Sequence, residues 1–253
     1  MLAEATAALE LISTAHKQGW LDRLITAVRK KHKVVVLGST GVGKTNFLNS
    51  LTESIPSAVD IMNRTEIAKK HRVKIQKSPF IFVDTPGQEP HKSRRLKAIR
   101  EALASHISGV INVVSYGYHE YRIGSKDAVD DNGIVSEEFL SAHREIEIAA
   151  LEEWIPVLGG PEAAGWLITV VSKADLWWDR RDEVLEYYRT GAYYEALGSA
   201  KSLHPIVLEY SSVFQKYFGK ARMSGDFEDN DRIRVKAHLI EELLAAVGKF
   251  KNG

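Results

Sequence analysis

Short aliphatic runs alternate along the chain with longer segments whose apolar residues recur at helical spacing. Residues 33–37 (KVVVL) are the first such run, and the run stops at Gly38, the pattern of a buried parallel strand. A helix is predicted from near Gly43 through Phe47, Leu48 and Leu51. Residues 53–70 show no clear period. Residues 72–77 (RVKIQK) alternate and predict a strand, and residues 79–84 (PFIFVD) predict an apolar one. Helix is predicted over 93–106 and strand over 109–115 (GVINVVS). A polar, aromatic stretch near 116–135 has no apolar period. Ser136 then offers a helix cap, with Glu137 and Glu138 in the first turn of a helix reaching about Trp154. Residues 166–172 (WLITVVS) read as strand, 179–197 as a helix or helix pair, and 205–210 (PIVLEY) as the last strand. Residues 213–230 read as loop. Leu239, Ile240, Leu243, Leu244 and Val247 line one face of a final helix.

Alternating strands and helices predict an α/β fold, a mostly parallel sheet with helices on both faces. Residues 2–31 look helical, with Leu21, Leu24, Ile25 and Val28 at helical spacing and a break at Gly19. The expected organisation is an N-terminal helical extension over 1–32, then one domain over 33–253 with a polar insertion near 116–135. The 253 residues suffice for a substantial core. The absence of cysteine excludes disulfides, thiolate metal sites and cysteine nucleophiles, and agrees with a cytoplasmic setting. A net charge of +1 gives no reason to expect nucleic acid or a membrane surface as partner. No run is apolar over the ~20 residues a spanning helix needs. The N-terminus, with Glu4 and Glu10, does not read as a secretory signal.

The strongest chemical signal is Gly38-Ser39-Thr40-Gly41-Val42-Gly43-Lys44-Thr45, which satisfies G-x-x-x-x-G-K-[ST] between a predicted strand and a predicted helix. Glycines let the backbone wrap a phosphate closely, so that successive N–H groups and the helix N-terminus face the anion. Lys44 can reach the β- and γ-phosphates, and Thr45 offers its hydroxyl to Mg²⁺. The loop alone does not choose between ATP and GTP.

Three further segments follow in order at strand ends: Asp84-Thr85-Pro86-Gly87, Ser172-Lys173-Ala174-Asp175, and Ser211-Ser212. With the phosphate loop they resemble the P-loop GTPases of the Ras-like, translation-factor-related class over about residues 33–249. The resemblance implies GTP or GDP as ligand and Mg²⁺ as cofactor. It implies that Asp84 holds the metal through water and that the Gly87 N–H meets the γ-phosphate. Lys173 would pack along the base, and Asp175 would accept from guanine N1 and N2, donors that adenine lacks as a pair. Ser172 stands where the family has asparagine or threonine. Ser211 and Ser212 match the loop whose backbone approaches guanine O6. Thr65 is the candidate switch threonine on Mg²⁺, with Thr52 as the other choice. Gln88 matches the glutamine that orients the attacking water.

Thr40 stands where Ras proteins carry glycine, so slow intrinsic hydrolysis is expected. The basic run from His91 to Arg100 is either a solvated face or a nucleotide-dependent docking surface for a protein effector or regulator, and Arg94 or Arg95 could act as an arginine finger in cis. The aromatic cluster Trp177, Trp178, Tyr187, Tyr188, Tyr193 and Tyr194 is expected to pack into the core. Three functions remain: a GTP-hydrolysing switch, a P-loop ATPase, which Ser172–Asp175 argues against, and a nucleotide-binding interaction module with negligible turnover.

Overall fold

The aliphatic runs pair into one seven-stranded sheet. The computed structural model describes residues 32–53, 60–61, 69–75, 78–85, 96–97, 100–101, 107–120, 128–158, 164–212, 217–219 and 226–249. Five strands are parallel: β1 (His32–Leu37), β4 (Ser78–Asp84), β5 (Gly109–Val114), β6 (Leu167–Val171) and β7 (Ile206–Glu209). Two more, β2 (Asp60–Ile61) and β3 (Lys69–Ile75), extend the β4 edge antiparallel. The spatial order is β2-β3-β4-β1-β5-β6-β7. β3 begins at Lys69 instead of 72 because its pairing with β4 sets its extent, from Lys69 opposite Asp84 to Ile75 opposite Ser78. The predicted α/β architecture is therefore the observed one.

Helices cover both faces, and the period of two along β1 distributes its side chains between them. Val34 and Val36 point into a core with α1 (Lys44–Glu53) and α5 (Asp229–Lys249), where Phe47, Leu48, Leu51, Leu239 and Leu243 are buried. Val35 and Leu37 point into the opposite core, built with α2 (Glu137–Leu158), α3 (Arg181–Thr190) and α4 (Ala192–Ala196). Ser136 caps α2 as its sequence suggested, its Oγ accepting from Phe139 N at 3.3 Å. Trp177, Tyr188 and Tyr193 are buried and Trp178, Tyr187 and Tyr194 pack partly against them, so the aromatic cluster is core. Parallel register places the carboxyl ends of β1, β4, β5, β6 and β7 along one edge, where open α/β sheets bind ligands. The expected N-terminal helices fall almost wholly on residues outside those described. No helix among the described residues is long and apolar enough to cross a membrane.

Candidate nucleotide site

Beyond β1 the chain turns through Gly38, Gly41 and Gly43, with φ of +144°, +83° and +92°. Side chains are strained at such φ, and at Gly38 and Gly41 space is short as well. A Cβ on Gly38 would lie 2.4 Å from the Val113 carbonyl oxygen. Val42 is fully buried in the α1/α5 core and pins the middle of the loop. α1 starts at Lys44, so the loop's backbone and the helix N-terminus face the same space. Lys44 Nζ donates to the Gly38 and Ser39 carbonyls at 2.7 and 2.8 Å, which holds the ammonium across the loop. Thr45 is exposed in the first turn.

The loop after β6 comes back to this one. Ser172 Oγ donates to the Val42 carbonyl at 2.6 Å, so the hydroxyl in the unusual position supplies the link between the two loops. Lys173 adopts a left-handed backbone with φ 58°, and its Nζ donates to the carbonyls of Gly41 at 3.1 Å and Tyr118 at 2.5 Å. The same ammonium sits 5.1 Å from the centre of the Tyr217 ring and 4.0 Å from the Glu120 carboxylate. Burial pulls its pKa down to about 8 while Glu120 and Asp175 pull it up. Asp175 is buried, and Ser211 Oγ donates to its Oδ1 at 2.7 Å. Burial raises the Asp175 pKa against the lowering effects of Ser211 and Lys173. A depression lined by Gly43, Asn46, Glu120, Ser172, Lys173, Asp175, Leu176, Ser212 and Tyr217 opens between these loops.

Asp84 ends β4 beside β1, in register with Val36, and so lies next to the start of the phosphate loop. Thr85 Oγ1 donates to the Val36 carbonyl at 2.9 Å and fastens the turn that follows. The Thr45 hydroxyl and the Asp84 carboxylate are hard oxygen donors of the kind Mg²⁺ takes. Gly87, Gln88, Thr65 and the arginines Arg94 and Arg95 lie outside the described residues. Thr52, the other switch candidate, belongs to α1.

Reading the sequence missed one part of the site. Tyr116–Glu120 counted as the start of a polar insertion, but Tyr116, Tyr118 and His119 are buried. Glu120 N donates to the Gly41 carbonyl at 3.1 Å, across the phosphate loop. The available signal was the run YGYHEY, too aromatic for a solvated loop.

Residues 33–150, just under half of the chain, match the family model described as 50S ribosome-binding GTPase. The matched residues carry the phosphate loop and Asp84 and are similar to a GTPase domain, and Ser172–Asp175 and Ser211 follow at the ends of β6 and β7 on the same sheet edge. No curated protein sequence matches it. Among solved structures it is similar to the Arl6 (BBS3) small GTPase of Trypanosoma brucei with a bound nucleotide analogue, at 13% identity and a TM-score of 0.43 over 85% of this chain and 98% of that one. It is also similar to the G domain of the T. maritima FeoB iron transporter, at 14% identity and a TM-score of 0.38 over 84% of this chain and 99% of that one. Translation elongation factor SelB from Methanococcus maripaludis, in complex with the GTP analogue GPPNHP, is 13% identical with a TM-score of 0.41 over 86% of this chain. The chain spans about a third, 34%, of the SelB chain's length.

Proposed function

We propose that the protein binds GTP with Mg²⁺ and hydrolyses it to GDP and phosphate, with the nucleotide state acting as a switch. The observation that carries this reading is the buried Asp175 carboxylate, oriented by Ser211 on the wall of a depression that opens onto the phosphate loop. A fixed acceptor there suits the paired N1 and N2 donors of guanine and leaves adenine unmatched. Lys44 and the loop amides meet the phosphates, Thr45, Asp84 and Thr65 hold the metal, and Lys173 covers the base. The Gly87 N–H meets the γ-phosphate, and Gln88 orients the attacking water. The basic run from His91 to Arg100 is the surface offered to a partner in one nucleotide state.

Binding measured against GTP, GDP, ATP and XTP tests the ligand. GTP and GDP should bind and ATP should not compete. Asp175→Asn should shift preference toward XTP, because the amide donates where the carboxylate only accepted. Full GTP preference in that variant removes Asp175 from base recognition. Single-turnover hydrolysis tests the chemistry. Gln88→Leu should keep GTP affinity and slow hydrolysis by roughly tenfold to a thousandfold, the size of a lost positioning contact. No measurable turnover in the wild type would leave a nucleotide-binding interaction module.

A further inference from the structure

Beneath the phosphate loop lies a carboxylate that the nucleotide reading does not use. Glu147 projects from α2 into the core, and its side chain and that of His119 are 1% and 0% exposed. Its Oε1 accepts from Ser115 N at 2.8 Å, Ser115 Oγ at 3.2 Å, Gly117 N at 3.3 Å and His119 Nε2 at 3.0 Å. Its Oε2 accepts from the Tyr188 hydroxyl at 2.5 Å, and that hydroxyl accepts from Tyr116 N at 2.8 Å. Burial pushes the Glu147 pKa up, but His119, Tyr188 and Ser115 outweigh it and hold the carboxyl ionised. A buried charge is costly, and an apolar side chain could fill the same volume. What the carboxylate adds is an acceptor for the donors of one short segment.

That segment reverses direction through Tyr116 and Gly117, at φ of 54° and 83°. A left-handed tyrosine is strained and persists only where its surroundings hold it. The three residues after the reversal each hold a different part of the nucleotide site. The Tyr118 carbonyl accepts from Lys173 Nζ. The His119 carbonyl accepts from the Tyr217 hydroxyl at 2.5 Å, and the Tyr217 ring faces the Lys173 ammonium. Glu120 N donates to the Gly41 carbonyl. His119 Nε2 also lies 3.5 Å from Ser39 Oγ.

We propose that Glu147 and His119 are positioning residues for nucleotide binding: they fold Tyr116–Glu120 into a strap that sets Lys173 and Gly41 against the base and phosphates. The inference rests on the guanine-nucleotide reading for its consequence, but the strap itself can be tested without nucleotide. Glu147→Gln keeps the shape and loses the charge. Tyr217→Phe is milder and removes only the hydroxyl that ties the strap. In nucleotide-free protein, limited acetylation followed by peptide mass spectrometry reports how far Lys173 is protected, with exposed Lys97 as reference. Release of a fluorescent GDP reports the consequence, and thermal unfolding reports stability.

Both variants should raise Lys173 acetylation several-fold and speed GDP release by about tenfold, the scale of one or two lost hydrogen bonds. Wild-type acetylation or wild-type release in both variants overturns the proposal, and a lower melting temperature alone would then mark Glu147 as a core residue only. If Glu147→Gln does not fold, Tyr217→Phe decides by the same two readouts. If the wild type binds no guanine nucleotide, the function reading fails, and Lys173 acetylation still decides whether the strap positions the lysine.

Discussion

The two faces of the sheet solve the same packing problem with different chemistry. Between the sheet and α1 and α5 the fill is mainly aliphatic and phenylalanine, with Tyr210 reaching Ser50 at 3.2 Å as a polar contact. Between the sheet and α2, α3 and α4 the fill includes Tyr116, Tyr118, Tyr188, Tyr193 and Tyr217 around the buried Glu147 and His119. Tyr193 alone accepts from Asn112 Nδ2 at 2.6 Å and lies 3.1 Å from Thr169 Oγ1. An apolar core stabilises without prescribing orientation, because dispersion and burial have little directionality. A hydrogen-bonded core is costlier and fixes angles. The directional core lies on the side from which the strap reaches the site, so both faces bury apolar surface and this one adds geometry.

That division can be broken by experiment. The largest effect belongs to the aliphatic face. Leu243→Ala should lower unfolding free energy by about 2–5 kcal/mol, and urea denaturation measures it. GDP release from the folded variant should keep the wild-type rate. Faster release would show that geometry is not confined to the other face.

A pH titration gives an intermediate effect. The Lys173 pKa is lowered to about 8 from its usual 10.5 by burial, so across that interval the unfolded chain binds more protons than the folded one. Stability contributed through this lysine therefore rises as pH climbs from about 8 toward 10.5, while its ammonium charge is lost. Wild type compared with Lys173→Met should show GDP affinity falling above pH 8 and relative stability rising over the same interval. Parallel curves for the two proteins would remove Lys173 from both. The smallest effect belongs to the tyrosines. Tyr188→Phe should cost about 1.5–3 kcal/mol of stability, the scale of a hydrogen bond to a charged group, and measurably quicken GDP release. Unchanged release would place Tyr188 with the aliphatic face in function.

What the sequence disclosed follows from the range of each interaction. Gly38–Thr45 is a local device whose loop and helix start need only neighbours in the chain, and Lys44 and Thr45 stand where the motif sets them. Ser172–Asp175 and Ser211 were readable because strand ends fall on one edge of a parallel sheet. Ser172 stands where the family has asparagine or threonine, and its link to Val42 is not legible in the sequence because it depends on the two loops meeting in the fold. Glu147 was not readable. In EIEIAALEE it is one glutamate among several on an amphipathic helix, and only the fold turns it inward. The two-residue β2 has no periodicity to detect and exists through its pairing with β3. The switch candidates Thr65, Gly87 and Gln88 stand as proposals.

The strap also dictates an order of assembly. Its hydrogen bonds span 28 residues to Glu147, 72 to Tyr188 and 98 to Tyr217. Contacts at such separation are made only after the intervening chain has collapsed and its loops have closed. The parallel sheet closes loops of similar length, with Val34 opposite Gly109 and Val110 opposite Leu167, so the strap settles together with the sheet, and competence to hold a nucleotide should lag behind helix formation. In refolding from denaturant, far-ultraviolet circular dichroism should recover first and capture of fluorescent GDP second. A chain emerging from the ribosome would pass through a helical but ligand-blind stage before its long-range pairings close.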